Sequence, residues 1–201
     1  MCGRYLIDDD DNSDIWVMLN MPDSYQNVSR GEIFPTNIAP VIDYDGTAAV
    51  KWGFPHWKGS GVIINARAET ALEKSMFRKP LLQHRCVVPS SGFYEWDRIG
   101  GRKKAQKYLL RLPGENILYM AGMINIFRDA SGSEYSAFVI LTTGASDSVA
   151  LIHDRMPVIL APDEQEPWIG DAGFMEYALH RPGPDLVLTR SADRKGAGNR
   201  E

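Results

Sequence analysis

The sequence predicts one strand-rich α+β domain with a few short helices, and three observations predict it. Short β-branched and aromatic runs recur along the chain with Gly, Pro or Asp between them. Helical periodicity is confined to a few brief segments. The two kinds of element do not alternate in the regular manner of a doubly wound sheet. At 201 residues, 44% of them hydrophobic and 24% charged, the chain is large enough for a core of its own. Residues 1–189 are assigned to this domain, and the polar residues 190–201 to a flexible C-terminal tail.

Taken in order, strands are expected at residues 3–7, 48–54, 61–65, 85–88, 93–99 and 107–112, then at 117–123, 135–143, 156–160 and 186–189. Each is rich in Val, Ile, Tyr, Phe or Trp, side chains that suit a pleated, half-buried surface. Helices are expected at 14–19, 67–77 and 145–152, and across 162–179 with a break near Pro167 and Gly170.

The chain carries 22 Lys+Arg against 26 Asp+Glu, a formal net charge of −4. That total speaks against a nucleic-acid binder, which is more often basic. The distribution is uneven, however. Acidic residues gather at 8–11, 14 and 163–166, and basic ones at 98–107 and 190–200, the former read as a solvated turn. A local groove can therefore still be positive. There is no signal segment and no apolar run long enough to span a bilayer, so a cytoplasmic protein is expected. Cys2 and Cys86 form neither a metal-binding pair nor a disulfide framework. Two free thiols, no metal and no cofactor are the expectation.

Cys2 directly follows the initiator methionine. Once that methionine is removed, one residue holds both an α-amine and a thiol. The amine can form a Schiff base with an aldehyde, and the thiol can close a five-membered thiazolidine ring on the same carbon. An α-amine has a pKa of about 7.7 to 8.0, so a useful fraction is neutral near pH 7 without tuning. The plain alternative is an early residue of the first strand.

Four further stretches carry chemistry. Trp52-Gly53-Phe54-Pro55-His56-Trp57 is either a core strand or, on a loop, a platform on which nucleobases stack. In Ile64-Asn65-Ala66-Arg67, Asn65 either caps a helix or orients a substrate oxygen from a strand end, and Arg67 offers a forked donor to phosphate. In Gly92-Phe93-Tyr94-Glu95-Trp96, strand alternation puts Phe93 and Glu95 on one face, so Glu95 is either a proton carrier among aromatics or a solvent-facing glutamate. In His153-Asp154-Arg155-Met156-Pro157, the histidine is either structural or a proton donor near pH 7, and Arg155 can bind phosphate or hold a carboxylate.

Together these segments resemble the SRAP family, named for SOS-response-associated peptidase, whose members crosslink to abasic sites in single-stranded DNA. The resemblance covers residues 1–160 and rests on Met1-Cys2-Gly3-Arg4, Asn37-Ile38-Ala39-Pro40, Trp52-Gly53 with Pro55 and Trp57, Asn65 to Thr70, Gly92 to Trp96 and His153 to Pro157, in the family's order. After Leu160 the match thins. The resemblance implies that Cys2 captures the aldehyde of the ring-opened abasic sugar as a thiazolidine, protecting the lesion. It implies that Glu95 moves protons during Schiff-base formation, that His153 protonates the sugar oxygen, and that Asn65 positions Cys2 and the sugar. It also implies that Arg4, Arg67 and Arg155 line the DNA phosphate path, that Trp52 lies in a segment holding the DNA kinked, and that Asn37 and Pro40 shape the cleft. The implied partner is single-stranded DNA containing abasic sites, met by a monomer in the cytoplasm with the nucleoid of a bacterial cell. Two alternatives stay open: a Cys2-dependent peptidase or autopeptidase, and a non-covalent single-stranded DNA-binding module.

Overall fold

Alternation of side chains along strands organises the molecule, because nearly every central strand is buried on both faces. The computed structural model describes residues 3–21, 27–56, 59–97 and 105–191. In strand Glu134–Gly144, Phe138 and Ile140 point into one apolar cluster, and Ala137, Val139 and Leu141 into another. The same division runs through Arg85–Ser90, with Cys86 and Val88 opposed to Val87, and through Leu118–Arg128, with Met120 opposed to Tyr119 and Ala121. Residues i and i+2 thus serve one core and i+1 the other.

The larger sheet closes on itself. Glu134–Gly144 pairs in parallel with Gly46–Trp52, which pairs with Ile38–Asp43, then Arg85–Ser90, then Leu118–Arg128, which returns to Glu134–Gly144. Such closure removes the exposed edges that an open sheet presents. The inner cluster lies between this ring and a second, five-stranded sheet with the order Val187–Arg190, Lys107–Arg111, Gly92–Trp96, Arg4–Ile7, Gly31–Ile33. The outer cluster is covered by helices Ser75–Gln83, Gln165–Gly170 and Ala172–His180, which bring Phe77, Leu81, Trp168, Met175 and Leu179 onto the ring. The result is the expected strand-rich α+β domain. No described helix is long and apolar enough to cross a membrane.

Several elements differ from the sequence reading for physical reasons. The expected helix at 67–77 begins instead as strand Asn65–Arg67, passes through the 3₁₀ turn Ala68–Thr70, and becomes helical only at Ser75–Gln83. Backbone pairing of Arg67 with Thr142 overrides the helical propensity of that Ala- and Glu-rich run. The helix also runs past Pro80, which is buried. Strand Ile38–Asp43 contains Pro40, which argues against a central strand. It is tolerated because pairing on the side of Arg85–Ser90 is confined to Ile42 and Val87. Gly31–Ile33 is too short to carry a pattern. The expected helix at 145–152 shrinks to one turn, Asp147–Ala150. The break expected in 162–179 falls at Gly170 and Asp171, where the Asp171 side chain caps the next helix by accepting from Gly173 and Phe174 N–H. Pro167 sits near the start of its helix and does not break it. The last strand runs through Arg190, paired with Tyr108, and residues 192–201 lie outside the described residues.

Gly92 enters the strand carrying Glu95 at φ +146°, and a Cβ there would lie 2.6 Å from the Leu110 carbonyl oxygen and 2.9 Å from Arg111 Cγ. Gly92→Ala is expected to destabilise the fold by about 2 kcal/mol or more, since backbone strain and overpacking act together. A lowered denaturant midpoint with an unchanged slope is the expected signature; an unchanged midpoint would show that this entry to the strand yields freely.

Candidate active site

Strand Glu134–Gly144 brings two of the chemical segments together. It pairs in parallel with Asn65–Arg67, Ile140 opposite Asn65 and Thr142 opposite Arg67, and antiparallel with Arg155–Pro157, Thr142 opposite Pro157 and Gly144 opposite Arg155. Asn65 and Arg67 thus stand on one side of Thr142, and His153 and Arg155 on the other. His153 follows the one-turn helix, its backbone N–H donating to Val149 O at 3.0 Å, and its side chain is 8% exposed.

The second sheet supplies Glu95, whose side chain is 3% exposed and whose Oε1 lies 3.8 Å from His153 Nε2. Strand alternation turns Phe93 and Glu95 inward, so Glu95 is no solvent-facing glutamate. The separation exceeds a direct hydrogen bond. His153 Nδ1 accepts the Arg155 backbone N–H at 3.0 Å. With Nδ1 accepting, the proton of the neutral ring sits on Nε2, facing Glu95. Asp154 Oδ1 also lies 3.0 Å from Nδ1, and the Asp154 side chain is largely in solvent.

Strand Arg4–Ile7 runs antiparallel beside Gly92–Trp96, with Arg4 opposite Tyr94, the neighbour of Glu95. The described chain begins at Gly3, and Met1 and Cys2 lie outside the described residues.

The remaining sequence candidates are dispersed differently. Arg4 is held by Glu32, Nη1 to Oε1 at 3.1 Å, and its guanidinium lies 4.4 Å from the Phe34 ring centre and 5.2 Å from that of Trp96. Asn37 shapes a tight turn by accepting the Phe34 N–H at 2.8 Å, and Pro40 is buried in its strand. Trp52 is fully buried between Tyr5 and Phe138, its indole N–H donating to Ile64 O. Its ring cannot stack on a base; it supports the turn at Gly53 from within. Phe54 is likewise core, and Trp57 lies outside the described residues. Arg67 is exposed. Arg155 is engaged by Glu69 as a fork, Nη1 to Oε1 at 2.5 Å and Nη2 to Oε2 at 2.8 Å, with Nη2 also donating to Thr142 O at 2.5 Å. A groove of about 860 Å³ opens from Asn65 toward the start of helix Ser75–Gln83, with Arg67 and Lys74 on its rim.

Three charged residues, Glu69, Lys107 and Glu32, hold partners that the sequence reading missed. Glu69 lies two residues beyond Arg67, and nothing local reveals its partner 86 positions away. Lys107, placed by sequence in a solvated turn, is 4% exposed and bonded through Nζ to both oxygens of Glu32, at 2.7 and 2.8 Å. Residues 98–104 of that turn lie outside the described residues. Cys86 is a free, fully buried thiol whose pKa burial pushes well above its ordinary value. Among the described residues, no group of three His, Cys, Asp or Glu side chains is placed to hold a metal.

The Arg155 fork holds the Glu69 carboxyl below the usual carboxylate range. The pair's stabilisation is therefore complete above the unfolded value, about 4.3, and is lost as pH falls through the lower folded one. With Glu69 47% exposed, it amounts to no more than ~0.5 kcal/mol. Thermal unfolding followed from pH 6 to pH 3 should show a shallower acid decline in Glu69→Gln than in the wild type. Parallel declines would mean that the pair does not contribute to stability.

A family model described as SOS response associated peptidase (SRAP) matches residues 1–182. The chain is 34% identical over 184 residues to the abasic site processing protein YoqW of Bacillus subtilis, covering 84% of this chain and 80% of that protein. It is 37% identical over 122 residues to the abasic site processing protein YedK of Escherichia coli, covering 60% of this chain and 53% of that one. A crystal structure of a protein from Bacteroides thetaiotaomicron superposes with a TM-score of 0.80 at 24% identity, covering 96% of this chain and 93% of the other, which is a likeness of fold.

Proposed function

The chain belongs to the SOS response associated peptidase (SRAP) family, and on that premise we propose that it processes abasic sites in single-stranded DNA by trapping them covalently on Cys2. The observation that carries this reading is the convergence of Glu95 and His153, buried and 3.8 Å apart, beside the strand that Gly3 leads into. Cys2 is covalently the next residue. The names of the relatives, which process abasic sites, supply the substrate class.

Removal of Met1 frees the α-amine of Cys2. With its ring protonated on both nitrogens, His153 passes the Nε2 proton to the ring oxygen of the abasic sugar while the hydroxyl at C1′ gives its proton to the Glu95 carboxylate, which opens the ring to the aldehyde and returns the imidazole to neutral. The amine adds to that carbonyl carbon, and Glu95 carries the protons that convert the carbinolamine oxygen to departing water. The Cys2 thiol then adds to the C=N carbon, its proton passing to nitrogen, and closes the thiazolidine. The balance is aldehyde plus aminothiol giving thiazolidine plus water. Asn65, at the end of its strand, orients the sugar. Arg67 and Lys74 on the groove rim meet the phosphates that flank it, with Arg4 and Arg155 at the margins. Asn37 and Pro40 shape the cleft wall, and Trp52 braces it. Such a protein acts in the cytoplasm, as a monomer on a single strand. The peptidase reading would use the same cysteine but predicts turnover of peptides, and the relatives' names favour DNA.

Cys2→Ala is expected to abolish the stable covalent band formed with an abasic oligonucleotide on a denaturing gel, while borohydride still traps a Schiff base through the remaining amine. A stable, unreduced band of wild-type yield would remove the thiazolidine from consideration. Glu95→Ala and His153→Ala should each slow single-turnover capture about 10²- to 10⁴-fold with little change in affinity. Lost affinity with an unchanged rate would make either one a binding group.

Arg67→Ala should weaken binding to intact and abasic single strands alike and flatten the salt dependence. Neutralising Arg98, Arg102, Lys103 and Lys104 together should matter less. A larger loss from those four would move the docking surface away from the groove.

A further inference from the structure

Two of the three arginines assigned to the phosphate path are held by carboxylates, and the two carboxylates differ in what else they do. Glu32 serves Arg4 and also neutralises Lys107, whose ammonium is buried and cannot lose its counter-charge without strain on the fold. Glu69 accepts from Arg155 through both carboxylate oxygens, is 47% exposed, and stands on a short 3₁₀ turn. Its two oxygens take the two terminal nitrogens of the guanidinium, Nη1 and Nη2, a two-point geometry in which an arginine also takes a phosphate. Arg155 itself is only 14% exposed and is anchored from behind by Thr142 O, so the fork stays in place whichever anion faces it.

We infer that Glu69 is a displaceable counter-ion that holds the Arg155 fork ready for a DNA phosphate, so that binding at this position exchanges one two-point acceptor for another. The inference rests on the DNA reading of the site and deepens it. Preorganisation is the gain: Arg155 gives up no side-chain freedom when the strand arrives. The exchange also sets a threshold, because a phosphate must outcompete a carboxylate already seated. It gives an acidic protein a cationic site that is masked until a polyanion displaces the mask.

The test is a double-mutant cycle on binding of intact single-stranded oligonucleotide, carried out in Cys2→Ala so that covalent capture does not intervene. Glu69→Gln should tighten binding about two- to fivefold, the factor corresponding to release of one exposed ion pair. In an Arg155→Gln background the same change should have no effect. An equal gain in both backgrounds would reduce Glu69 to one negative charge among many and overturn the exchange. So would unchanged or weaker binding, or failure of Glu69→Gln to fold, since Glu69 would then be a brace. If intact strands do not bind the wild type at all, the DNA reading fails separately. The exchange is then judged by whether inorganic phosphate shifts the Arg155 Nε–H resonance in Glu69→Gln and not in the wild type; no shift in either overturns it.

Discussion

Strand Glu134–Gly144 constrains everything else. It pairs with Leu118–Arg128, Gly46–Trp52, Asn65–Arg67 and Arg155–Pro157, closing the ring at one end of its length and gathering the functional segments at the other. Because side chains alternate across a strand, a slip of one residue would exchange the contents of the two cores and turn Thr142 away from Ala66 and Arg155. Burial of Phe138 and Ile140 on one face and of Ala137, Val139 and Leu141 on the other forbids that slip. The positions of Asn65 and His153 are thus fixed by packing many residues away from them, and the site inherits the rigidity of the ring.

Electrostatics follow from this frame. The chain is acidic as a whole, yet its cations near the site are paired: Arg4 and Lys107 with Glu32, Arg155 with Glu69. Lys107 shows the internal logic most plainly. Its ammonium lies 4.0 Å from the ring centre of Tyr94 and bonds to both oxygens of Glu32, so burial, cation–π attraction and ion pairing act on one group. Arg67 and Lys74 stand apart as exposed members on the groove. Net charge says little about such a surface, because the field at a groove is set by which charges are already matched.

Much of this was legible in the sequence. The strand-rich fold, most of the long strands and the family could be read from periodicity and from the order of short motifs. Alternation placed Glu95 on the face of Phe93, and the packing of the two sheets decided that this face is inward. What could not be read depended on pairing across the chain. The propensity of residues 67–77 is helical, and only the ladder with Thr142 reveals that Arg67 ends a strand. No strand was expected at Ile38–Asp43, and only the sparse pairing on one side gives its Pro40 room. Trp52 could have been a stacking surface or a core residue, and the difference lies in Tyr5 and Phe138, which close over it from distant strands. Glu69 and Glu32 carried no local signal, since a surface glutamate and a clamping one are alike in sequence.

The burial of Cys86 has a consequence for the chain's redox life. It sits at 0% exposure between strands, and its thiol is held in the protonated form far beyond neutral pH. A thiol in that state neither attacks disulfides nor yields to oxidants at an appreciable rate. The fold therefore shields this sulfur from peroxides and alkylating agents for as long as the strands around it stay closed. Labelling of Cys86 by an alkylating agent would then time the opening of the ring itself, making one sulfur a clock for unfolding.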